Sequence, residues 1–155
     1  MWTATIGCLV DLVERAQELR FALNGDAPAE LGRRCGTMAR MVDASCHCGA
    51  VTISVDAAPL ELTSCNCSIC RRTGALWSYY SPTRVRVAGP TVTYRWGDKS
   101  LDLHHCATCG CITHWSPIDP ALDRMGVNAR LMEPAIVAAA RVRRFDGADT
   151  WTFLD

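Results

Sequence analysis

Eight cysteines of this chain fall in three tight groups between residues 46 and 111. Cys46 and Cys48 sit in SCHCGAV, Cys65, Cys67 and Cys70 in SCNCSICRRTG, and Cys106, Cys109 and Cys111 in HCATCGC. Thiolates are nucleophiles and soft metal ligands, so cysteine at this density means either disulfides or metal. A disulfide framework goes with a secretory leader. The N-terminus MWTATIGCLVDLVERAQ carries no Lys or Arg ahead of its apolar stretch, and Asp11 cuts that stretch short. No run approaches the roughly 18 apolar residues of a membrane span. The expectation is a cytoplasmic, reducing setting with no membrane partner, where clustered cysteine more often binds metal.

The spacings divide the cysteines. A structural zinc site takes four ligands in a tetrahedron, with Zn–S near about 2.3 Å. Cys106-x-x-Cys109 and Cys46-x-Cys48 are two short pairs from distant parts of the chain, each followed by a glycine that permits a tight turn. Cys46, Cys48, Cys106 and Cys109 are therefore expected to close one structural zinc site. Cys65-x-Cys67-x-x-Cys70 packs three thiols into six residues. Three local ligands leave a fourth position, held by water or substrate or closed by the protein; Cys111 and His114, then His104 and His105, are the candidates to close it. An open position lets zinc lower the pKa of a bound thiol or water and polarise a carbonyl. Arg71 and Arg72 follow directly and read either as a carboxylate-binding pair or as solvated charges. His47, between two ligands, is expected to point outward. Cys111 is read as a small buried apolar group in preference to a neighbour of the open zinc.

The elements that must hold these groups are mostly strands. Val51, Ile53 and Val55 alternate with Thr52, Ser54 and Asp56. Residues 76–81, 84–89, 91–96, 101–105, 112–115 and 142–145 are further short runs of β-formers, punctuated by Gly89-Pro90, Gly97-Asp98 and Asp146-Gly147. PAIVAAA (134–140) is the one helical piece. Mainly β structure is expected: a small antiparallel fold stapled by two zinc sites, with an N-terminal helical extension. In that extension Leu9, Leu12, Val13, Ala16, Leu19 and Leu23 make an amphipathic stripe, and GDAPAELGRRCGTMAR reads as a linker. Two readings compete for residues 1–40: a helix that docks on the domain or on a partner, or sequence upstream of a start at Met41. Residues 41–155 are the zinc-binding domain under either. Cys8 and Cys35, in the first forty residues, have no assigned role.

The whole chain carries 16 basic and 16 acidic side chains, and residues 41–155 carry 11 of each with no long basic run. That balance argues against nucleic acid as a partner. At 155 residues and 49% apolar, the chain has the size and core material of one domain.

Taken together, CHCGAV, CNCSICRRTGA and HHCATCGCITHW resemble the glutathione-dependent formaldehyde-activating enzyme family, which also contains the centromere protein V group. The resemblance covers roughly residues 43–155. It implies a small β-rich fold with two zinc ions. In it Cys46, Cys48, Cys106 and Cys109 match the structural ligands, and Cys65, Cys67 and Cys70 match the three ligands of an open catalytic zinc. It further implies a carbon–sulfur lyase-type enzyme joining formaldehyde and glutathione as S-hydroxymethylglutathione, with a small-molecule thiol and an aldehyde as its partners. Asn128 and Arg130, in MGVNAR, are candidates for ligand contacts, or else caps or surface groups. The competing reading is a non-catalytic, zinc-stabilised binding module whose second zinc is closed by a fourth protein ligand.

Overall fold

The computed structural model describes residues 41–155. The amphipathic stripe, the linker, Cys8 and Cys35 lie outside the described residues. The described part is mainly β: ten strands in two sheets, with two short helices and two 3₁₀ turns.

A three-stranded antiparallel sheet joins β1 (Val42–Ser45), β2 (Thr52–Val55) and β5 (Val85–Ala88) in the order β1-β2-β5. The alternation read around residue 53 is real. Val51, Ile53 and Val55 are buried, and Val42 and Ala44 from β1 share a core with Ile53 and Val55.

The second sheet has seven strands in the order β10-β3-β4-β9-β8-β7-β6. These are β3 (Glu61–Cys65), β4 (Trp77–Tyr80), β6 (Thr91–Tyr94), β7 (Leu101–Cys106), β8 (Ile112–Pro117), β9 (Met125–Asn128) and β10 (Arg141–Phe145). All pairs are antiparallel except one. β10 runs parallel to β3, with Arg141 beside Glu61 and Phe145 beside Cys65. The helix α1 (Cys70–Thr73) follows the second cysteine group, and α2 (Pro134–Ala139) supplies the connection into β10.

Three strands depart from the sequence reading. β1 and β3 are too short and mixed to show a period. β9 lies in MGVNAR, where the sequence shows no strand pattern, yet all four of its residues are buried. A strand covered on both faces shows no alternation. Gly126 belongs in it because a Cβ there would lie 2.1 Å from Nε1 of Trp115.

Candidate metal centres and the adjoining cavity

Cys46 directly follows β1, and Cys48 lies in the turn after it. Cys106 ends β7, and Cys109 lies in the turn to β8. The four sulfurs gather within 4.8 Å of one another. Because β1 belongs to one sheet and β7 to the other, the cluster ties the two sheets together. The local backbone is shaped for it: Gly49 and Gly110 take φ of 75° and 73°, values a side chain disfavours. Backbone N–H groups then face the sulfurs. Val51 N donates to Cys46 Sγ at 3.3 Å and Thr108 N to Cys106 Sγ at 3.4 Å. The N–H groups of Cys111 and Cys48 hold the Cys109 thiol down to about 5. Cys46 and Cys106 are 2% and 0% exposed.

The donor set fits a tetrahedral soft cation. Cys46 and Cys48 sulfurs lie 3.6 Å apart, and those of Cys48 and Cys106 3.7 Å. A zinc tetrathiolate with bonds of about 2.3 Å has sulfur–sulfur edges of about 3.8 Å. Cys111 packs against Cys46, Val51 and Cys106, and its carbonyl accepts the Cys106 N–H. It is thus half-buried beside this cluster rather than beside the second one.

The second cluster is Cys65, Cys67 and Cys70, again with sulfurs within 4.8 Å. Cys65 ends β3, Cys67 sits in the turn and Cys70 opens α1. Cys67 N donates to Cys65 Sγ at 3.4 Å, and the Trp77 indole N–H donates to Cys70 Sγ at 3.2 Å. Burial works against ionising Cys67, but the N–H groups of Cys70 and Ile69 and the two neighbouring thiols outweigh it and lower its pKa. Burial pushes the Cys65 and Cys70 thiols up. Among the described residues, no candidate fourth ligand joins the three. Cys111 is at the other cluster. His104 and His114 stack on each other across the β7–β8 hairpin at 4.0 Å. His104 Nε2 lies 2.8 Å from Ser116 Oγ, and His114 Nδ1 lies 3.0 Å from Thr113 Oγ1. Burial holds His114 down at about 3. His47 is exposed, as expected.

What meets the second cluster instead is a cavity of about 180 Å³. Its walls are the three cysteines, Trp77, Trp96, Trp115 and Trp151, Tyr79, Phe145, Thr73 and smaller apolar groups, with no charged side chain. Such a wall is of low polarity and strengthens polar interactions beside it.

A network missed in the sequence fixes this loop. Asn66, between two of the cysteines, donates from Nδ2 to Asp146 Oδ1 at 2.7 Å and accepts the Ala148 N–H at 2.9 Å. Thr150 donates to Asp146 Oδ2 from its N–H and its hydroxyl. These bonds, from Asn66 and then Thr150, hold the Asp146 carboxyl down at about 2. Between Asp146 and Ala148, Gly147 lies so close to Cys65 that a Cβ would be 2.5 Å from its sulfur. The Asp146-Gly147 pair was legible as a turn; that the turn braces the cysteine loop was not.

Asn128 is structural. Its Oδ1 accepts the N–H groups of Leu76 and Arg130, and its Nδ2 donates to the Ile112 carbonyl. It caps the 3₁₀ turn Ala129–Leu131 and is buried, with its hydrogen-bonding capacity used internally. Arg130 differs: it is exposed and its Nε donates to the Gly74 carbonyl. No helix among the described residues is long and apolar enough to cross a membrane.

The family model for the glutathione-dependent formaldehyde-activating enzyme matches residues 41–144. A crystal structure of a Rhodobacter sphaeroides protein aligns at 28% identity and a TM-score of 0.52, covering 64% of this chain and 98% of that one. The match takes in all eight cysteines of the three groups, and this chain belongs to the glutathione-dependent formaldehyde-activating enzyme family.

Proposed function

We propose that the chain is a zinc-dependent, carbon–sulfur lyase-type enzyme that joins formaldehyde and glutathione as S-hydroxymethylglutathione. In this reading Cys46, Cys48, Cys106 and Cys109 hold a structural zinc, and Cys65, Cys67 and Cys70 hold a catalytic one. The observation that carries the proposal is the second cluster: three sulfurs, no fourth protein ligand among the described residues, and an uncharged aromatic cavity against them.

The reaction forms one bond between the thiol sulfur and the aldehyde carbon. The C=O double bond becomes a C–O single bond, and the thiol proton ends on that oxygen, so no oxidant or reductant is consumed. Zinc bound by Cys65, Cys67 and Cys70 supplies Lewis acidity and favours the thiolate form of a thiol. The protein does the rest. The Trp77 indole N–H fixes Cys70, Gly147 leaves room for the Cys65 sulfur, and the aromatic walls hold the thiol and the aldehyde together, which supplies an orientation advantage.

The test is adduct formation followed by NMR with the purified, metal-loaded protein. Wild type is expected to accelerate it and Cys67→Ser to abolish the acceleration; equal rates for the two would refute the assignment. The binding-module reading calls for a closing ligand at the second cluster, and none of Cys111, His104, His105 or His114 reaches it among the described residues.

A further inference from the structure

The cavity can take a thiol and an aldehyde but not the charged ends of a tripeptide. No charged group lines it, and burying a carboxylate there without a partner is strongly unfavourable. The remainder of the thiol substrate must therefore lie outside. An adjoining groove of about 350 Å³ shares Cys65, Cys70 and Phe145 with the cavity wall. Its lining includes Arg71, Arg130 and Arg144 and no carboxylate.

These arginines come from three separate elements: Arg71 from α1, Arg130 from the 3₁₀ turn and Arg144 from β10. None takes part in an ion pair among the described residues, whereas Arg84, Arg95, Arg141 and Arg143 all do. Asp155 accepts the Arg144 backbone N–H, but its carboxylate oxygens sit 3.7 and 3.8 Å from the guanidinium groups of Arg141 and Arg143. Arg130 is steadied by its bond to the Gly74 carbonyl. Of the Arg71-Arg72 pair, only Arg71 reaches the groove; Arg72 donates back to the Ser68 carbonyl. A second adjoining groove is lined by Arg71 together with Asp98, so its charges offset one another.

We infer that the groove of Arg71, Arg130 and Arg144 binds a carboxylate of the thiol substrate and selects anionic thiols over neutral ones. Guanidinium forks suit carboxylates, and three arginines without an ion pair among the described residues, in a groove that shares Cys65 and Cys70 with the cavity, raise the local concentration of an anion. The inference rests on the proposed reaction for the place of the sulfur, while the charge selection can be read without any turnover.

S-methylglutathione, which keeps both carboxylates and cannot react, is the probe, and its dimethyl ester is the control. Binding is followed by the tryptophan fluorescence of the cavity. Wild type is expected to prefer the acid to the ester by about tenfold or more, since a hydrogen bond to a charged group is worth at least a factor of ten. Arg71→Gln, Arg130→Gln and Arg144→Gln should each reduce that preference, and the triple variant should erase it. Arg86→Gln, on β5 away from the groove, should keep it. Far-ultraviolet circular dichroism confirms that each variant folds, and Arg144→Lys, which retains the charge, should recover part of the preference. Equal binding of acid and ester by wild type, or full preference in the folded triple variant, overturns the inference. If the preference is present but adduct formation is not accelerated, the proposed reaction fails and the carboxylate groove stands.

Discussion

Cys46 and Cys106 are almost wholly buried and share their cluster with Cys48 and Cys109 across two sheets, whereas Cys65, Cys67 and Cys70 come from one short loop and face a cavity. Both clusters use one side chain and similar N–H···S bonds. They differ in sequence separation and in what lies on the open side. The first joins residues about 60 positions apart, so breaking it releases chain between β1 and β7. The second closes a loop of six residues and releases little. Ligand number alone does not distinguish a staple from a reactive centre; the separation of the ligands and the chemistry of the space beside them do.

The sharpest way to break this contrast is to cut each cluster once. Cys109→Ala is expected to unfold the domain at room temperature. A structural zinc in a small domain contributes about 10 kcal/mol, as much as a whole domain's typical stability. Cys70→Ala should abolish adduct formation while lowering the melting midpoint by only about 5–10 °C. Calorimetry on both variants decides it, and equal midpoint losses would end the division. Metal analysis comes next. Two zinc ions per chain are expected, with a chelator removing one rapidly and the fold surviving that first loss. A single zinc, or two leaving together with the fold, would show that the clusters are not distinct.

A finer cut leaves every cysteine in place. Gly147→Ala puts a methyl against Cys65 Sγ and should cost about tenfold in affinity at the second cluster and in activity, with little change in melting. If melting falls as much as for a buried-core variant, the turn is structural and does not specifically brace the site. The smallest expected effect lies on the hairpin that carries Cys106 and Cys109. Burial keeps His114 neutral until about pH 3, while in the unfolded chain it takes a proton near its ordinary 6.5. The stability it contributes is complete above 6.5 and is lost progressively as pH falls toward 3. At pH 5.5 the contribution missing is about 1 kcal/mol. Urea midpoints at pH 7.5 and 5.5 should show a smaller decline for His114→Gln than for wild type; parallel declines would remove His114 as the cause.

The division of the thiols into four and three was legible because each ligand set carries its own short spacing, and spacing survives without knowledge of the fold. Strand runs such as 101–105 and 112–115 were legible as short stretches of β-formers bounded by turn signals. β9 was hidden because both of its faces are buried and its Gly126 and Asn128 look like loop residues. The Asn66–Asp146 pairing was hidden by a separation of 80 positions, with nothing local to mark either residue. The one departure from the expected antiparallel fold, at β10, was hidden for a similar reason. The parallel return is made by α2 and the chain around it, and a short run such as Val142–Phe145 does not state its direction.

That parallel return has a consequence for how the protein is made. Cys65, Cys67 and Cys70 emerge from the ribosome early and close together. The strand that flanks them, the turn against Cys65 and the partner of Asn66 are supplied by residues 141–150, nearly the last of the chain. At synthesis rates of about 5–20 residues per second, the three thiols spend several seconds without their brace. The four-thiol set can gather once Cys109 is out, so it is available before the brace of the three-thiol loop is finished.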